Sequence, residues 1–73
     1  MTYGIFNITK NKWLLDENFQ VVVFDSLSKA KRGLDEVNQI KTLSRRTKDY
    51  EYEIREDPDL SESFDLNKYE PLS

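Results

Sequence analysis

The sequence predicts a small α+β domain: a three- to four-stranded sheet in β-β-β-α-β order, one helix packed on one face, and an acidic C-terminal tail. Three observations predict it. Short runs rich in aromatic and β-branched residues fall at 2–8, 19–24 and 50–56, each bounded by polar residues of turn type. Between the last two, Leu27, Ala30, Leu34, Val37 and Ile40 recur at spacings of three and four, the signature of one helical face. Residues 57–73, DPDLSESFDLNKYEPLS, then combine carboxylates with Leu60, Phe64, Leu66, Tyr69 and Leu72.

TYGIFNI at 2–8 reads as a first strand, and Thr9-Lys10-Asn11-Lys12 breaks its apolar pattern as a turn does. Trp13-Leu14-Leu15 continues as a second, with Asp16-Glu17-Asn18 as the next turn. FQVVVF at 19–24 is the strongest strand signal, and its consecutive apolar residues predict a strand covered on both faces. A helix follows from about Leu27 to about Lys41, capped by Asp25 or Ser26. Gly33 inside it costs about 1 kcal/mol relative to alanine, and is either tolerated or lets the helix approach the sheet closely. In YEYEIRE, Tyr50, Tyr52 and Ile54 alternate with Glu51, Glu53 and Arg55, a half-buried strand that Pro58 ends. An antiparallel meander followed by a crossover helix predicts a last strand parallel to the first and beside it. Ile5, Trp13, Val21, Val23, Leu27, Leu34, Val37, Tyr52 and Ile54 are the expected core.

A chain of 73 residues has room for one domain, taken as 1–56 with the tail at 57–73. A domain of this size buries only about 60% of its unfolded surface and is marginally stable. Cysteine and histidine are both absent. That removes disulfides, thiolate metal sites and the side chain that titrates near neutrality. No apolar run has the length of a membrane span, and MTYGIFNI lacks the basic start of a signal peptide, so a soluble, cytoplasmic protein is expected. Catalysis would rest on carboxylates alone, and no pair is spaced for acid–base work. The two glycines, Gly4 and Gly33, belong to no phosphate-binding loop. No cofactor and no metal site are expected.

The succession Tyr3-Gly4-Ile5-Phe6, Lys12-Trp13-Leu14, Val23-Phe24-Asp25-Ser26-Leu27, Ala30 and Tyr52-Glu53-Ile54 resembles a group of very small phage and prophage proteins. In these a strand pair ending in a phenylalanine leads into a helix and returns as a final strand. The resemblance spans residues 3–55 and is carried by core positions. It implies a fold and a mobile-element setting rather than an activity. The basic residues at the helix start and the acidic tail depart from that pattern.

The net charge of -3 is unevenly distributed, as -1 over residues 1–28, +5 over 29–48 and -7 over 49–73. Asp49, Glu51 and Glu53 alternate on a predicted strand, so their charges lie about 6.6 to 6.8 Å apart on one face. Glu56, Asp57, Asp59, Glu62, Asp65 and Glu70 extend the field. Such a ridge imitates the backbone charge of a nucleic acid and suits the basic groove of a host protein. The expected function is therefore non-enzymatic binding and inhibition of a host nucleic-acid-handling protein, in the manner of anti-CRISPR proteins. Ordinary solubility is the competing explanation of the charge. A second reading makes Lys29, Lys31, Arg32, Arg45, Arg46 and Lys48 a nucleic-acid contact. A third makes the chain a virion assembly accessory. Within the tail, Leu60, Phe64 and Tyr69 either pack on the chain's own sheet, anchor in a partner, or stay disordered.

Overall fold

The structure, a computed structural model, describes residues 1–58 and 67–72. Its architecture is α+β, one helix over a mixed, curled sheet built around β1 (Tyr3–Asn7). One edge of β1 is taken along its whole length by β4 (Tyr52–Glu56), antiparallel, from Tyr3 opposite Glu56 to Asn7 opposite Tyr52. The other edge is shared. β2 (Lys12–Leu15) pairs with Phe6 and Asn7, and β3 (Val23–Phe24) pairs with Tyr3 and Gly4. β5 (Tyr69–Pro71) then joins β2 in parallel, with Trp13 opposite Tyr69.

Local chemistry sets the turns. Between β1 and β2, Asn11 adopts a left-handed backbone (φ 59°), which asparagine tolerates better than most residues, and Asn7 Oδ1 accepts the Lys10 amide at 3.0 Å. After β2, Asp16 Oδ1 accepts the amides of Asn18 (2.8 Å) and Gln20 (3.0 Å), closing a loop in which exposed Phe19 is left-handed (φ 61°). The chain returns antiparallel to β2 at Val21, opposite Leu15. β3 is nevertheless antiparallel to β1, as β2 is, so the backbone must bend between Val21 and Val23.

That bend overturns two expectations. FQVVVF is a bridge followed by a two-residue strand, not a covered central strand, and Val23 is 39% exposed. β4 lies beside β1 as expected but runs antiparallel to it. A meander would have made β3 parallel to β1. Because β3 is antiparallel instead, the helix delivers a strand that is parallel to β3, with β1 between the two. The crossover rule for parallel strands holds, applied to a different pair.

The helix α1 spans Leu27–Lys41. Ser26 caps it, its Oγ accepting the Lys29 amide at 3.3 Å. Ala30 and Val37 are the buried positions of its inner face. At Gly33 the helix meets the ring of Phe24 so closely that a Cβ would lie 2.3 Å from Cζ. The helix end is strapped to the loop beyond it: Thr47, buried, donates from Oγ1 to the Lys41 carbonyl (2.8 Å), and Lys41 Nζ donates to the Tyr50 carbonyl (2.6 Å).

Both faces of the sheet carry packing. Under the helix, Ile5, Leu14 and Val37 form the core, joined by Val22, Phe24, Leu34, Tyr52 and Leu72. On the opposite face the Phe6 ring meets Trp13 edge-on (centroids 5.1 Å, 83°) and carries the Arg55 guanidinium at 3.8 Å. Buried Pro58 covers Gly4, where a Cβ would lie 2.8 Å from the proline Cβ. Of the expected core, Ile5 and Val37 are buried. Val23 and Leu27 are exposed, Leu27 at 44%, and Trp13, Val21, Leu34, Tyr52 and Ile54 are half-buried. Phe6, Leu14, Leu15 and Tyr69 are buried in addition.

Candidate functional site

The acidic region is arranged differently from a single ridge. β4 begins at Tyr52, so of the three alternating carboxylates only Glu53 lies in the strand. Glu51 adjoins it, held by its carbonyl, which accepts the Ile8 amide (2.8 Å), and by its own amide, which donates to Thr9 Oγ1 (2.9 Å). Asp49 lies in the preceding loop, and Glu53 is paired with Arg55 two residues on. Asp57 takes a left-handed backbone (φ 53°) and its amide donates to the Thr2 carbonyl at 3.0 Å. Asp49, Glu51, Glu56 and Asp57 are exposed and have no cationic partner among the described residues. Asp49 and Glu51 precede β4, Glu56 ends it and Asp57 follows it, and the outer edge of β4 is paired by no described strand.

Asp59, Leu60, Glu62, Phe64 and Asp65 lie outside the described residues. Tyr69 is placed in β5 on the Trp13 side of the sheet with 0% of its surface exposed, so its ring is not available as an anchor for a partner. The physical reason is the parallel pairing with β2, which carries the chain end into the sheet and extends the folded unit past residue 56. A strand of three residues bounded by proline has no period to read, and its only advance signal was the density of large apolar residues in the tail.

The basic residues fall into two groups. Lys29 pairs with Asp25 at 3.0 Å and holds that carboxyl below its ordinary range, while Lys31 and Arg32 are exposed nearby. Arg45, Arg46 and Lys48 are exposed on the loop beyond the other end of α1. From Lys29 to Lys41 the helix rises about 18 Å, so the two groups stand apart.

A second group of polar side chains meets where β1 pairs with β4. Asn7 Nδ2 donates to Tyr52 Oη at 3.5 Å. Burial, and then the negative charge of Glu70, push the Tyr52 phenol up to about 12. Tyr52 is thus a neutral hydrogen-bonding group at physiological pH. Glu70 Oε2 is buried without a hydrogen-bond partner. Among the described residues no group of three or more carboxylates is placed to hold a metal ion, and no helix is long and apolar enough to cross a membrane.

A groove of about 530 Å³ opens beside the helix. It exists because α1 lies over β4, β1 and β3, and none of its Cα atoms comes within 8 Å of β2 or β5. The floor is apolar, from Leu14, Val37 and Leu72, with Ile40 on the helix wall. The rim carries Asp16, Glu17 and Glu36 and, among the described residues, no basic one. Sequence reasoning did not find it, because its two walls come from elements whose separation depends on the bend before β3. No family model, curated protein or solved structure matches the chain.

Proposed function

We propose that this chain is a non-enzymatic binding protein that engages a basic, nucleic-acid-handling protein in the cytoplasm through the acidic edge of β4. The observation that carries the reading is the set of exposed carboxylates on Asp49, Glu51, Glu56 and Asp57, which flank or end β4 and have no cationic partner among the described residues, beside a strand edge that no described strand pairs. Charge at an exposed edge steers association and discourages pairing with other strands. Coulomb attraction between exposed groups acts over about 8 to 10 Å at moderate salt, so a cluster engages a basic groove where a lone carboxylate does not. The Glu53–Arg55 pair is already neutralised, and Arg55 is further engaged by the Phe6 ring.

The test is charge reversal at Glu51 and Glu56, whose side chains are exposed and unpaired with any cation among the described residues. Partner association should slow while the thermal transition stays in place. An unchanged association rate rejects the β4 edge as the binding surface.

A further inference from the structure

Leu43 is 84% exposed, more than any other large apolar side chain among the described residues, Met1 reaching 80%. It sits two residues past the helix, its amide donating to the Ile40 carbonyl at 3.0 Å, and is followed by exposed Arg45, Arg46 and Lys48. These three bases have no ion-pair partner among the described residues. The loop is not loosely tethered: Thr47 and Lys41 tie it to the helix and to Tyr50, and the Ser44 carbonyl accepts the amides of Thr47 (3.3 Å) and Lys48 (3.0 Å). A preformed loop thus presents one apolar side chain flanked by cations, and ordering it on binding costs little.

The groove presents the complement, an apolar floor rimmed by Asp16, Glu17 and Glu36. We propose that the groove takes Leu43 of a second copy of this chain, with Arg45 and Arg46 of that copy against its acidic rim. Ile40 lines the groove and lies three residues from Leu43, so plug and socket adjoin at the end of α1. Adjacent complementary patches allow both contacts to form at once about a two-fold axis, which closes the assembly as a dimer instead of a chain. The contact is small, so the dimer is weak and concentration-dependent. Its failure would leave the proposed function untouched, because that reading rests on the carboxylates and not on Leu43 or the groove.

Sedimentation equilibrium on the full chain, from about 20 μM to 1 mM, reads the mass directly. The wild type should pass from 8.7 kDa toward twice that value, and the transition should weaken as salt rises. Leu43→Asp should raise the dissociation constant about tenfold or more with its melting temperature unchanged. Reversing Glu17 and Glu36 to lysine, or Arg45 and Arg46 to glutamate, should each weaken the dimer, and combining the two reversals should restore it. A monomer at every concentration overturns the proposal. So does a dimer indifferent to Leu43→Asp, or a groove whose amide signals answer only to an added basic peptide or to deletion of residues 59–66.

Discussion

Gly33→Ala sets two effects of known sign against each other. In a helix interior alanine is favoured over glycine by about 0.8 to 1 kcal/mol. The added Cβ, however, would lie 2.3, 2.8 and 3.1 Å from Cζ, Cε1 and Cε2 of Phe24, where carbon atoms rest at about 3.5 to 4.0 Å. The methyl is driven into the tip of the ring, and the ring or the helix must move by about 1 Å or more. Overpacking of this kind costs about 1 to 3 kcal/mol. Because Phe24 is half-buried on a two-residue strand, its ring gives way in part and the cost falls in the lower half of that range. The net is a destabilisation of about 0.5 kcal/mol, or roughly 2 to 4 °C in Tm for a domain of this size. Urea and thermal melts of Gly33→Ala, Phe24→Leu and the double variant form the assay. Leucine lacks the ring tip, so in the Phe24→Leu background the same Gly33→Ala change should stabilise. A gain of equal size in both backgrounds would show that the helix does not rest on Phe24.

Tyr69→Ala removes a fully buried aromatic from β5, and should cost about 3 to 5 kcal/mol, enough to unfold much of a marginal domain at 37 °C; a melting curve like the wild type's would mean the chain end does not belong to the sheet. Tyr52 is raised in the folded state to about 12, from 10.0. The folded chain therefore holds that proton more tightly, and the associated stability is full below pH 10 and lost as pH rises toward 12. Alkaline unfolding followed by circular dichroism should show this decline, and Tyr52→Phe should flatten it over the same window.

The helix was legible because its signal is local: apolar spacing, Ser26 as the cap and the polar residues after Lys41 fix its bounds within the chain itself. β1, β2 and β4 were legible for a similar reason, each being a short run between turn residues. Direction and depth were not. Val21, Val22 and Val23 look alike in sequence, yet the bend that separates them decides that β3 is antiparallel to β1 and that Val23 faces solvent. Leu14 and Leu15 are both buried because each face of β2 is covered, one by the helix-side core and the other on the side of Trp13 and Tyr69. That depends on β5, whose pairing is long-range. The acidic residues were visible as composition, but the neutralisation of Glu53 by Arg55 and the open edge beside Glu51 and Glu56 required the pairing of β4.

The central claim is that the β4 edge binds a basic nucleic-acid-handling protein, and affinity capture with matched baits tests it most directly. The wild type and a Glu51→Lys, Glu56→Lys variant of equal Tm are immobilised, and nuclease-treated host lysate is passed over both. The wild type should retain a nucleic-acid-handling protein after nuclease treatment and release it as salt rises from about 50 to 300 mM, and the variant should not retain it. Equal retention by the variant, or retention that disappears with nuclease, would contradict the claim, the latter by assigning the contact to the basic residues at the ends of the helix.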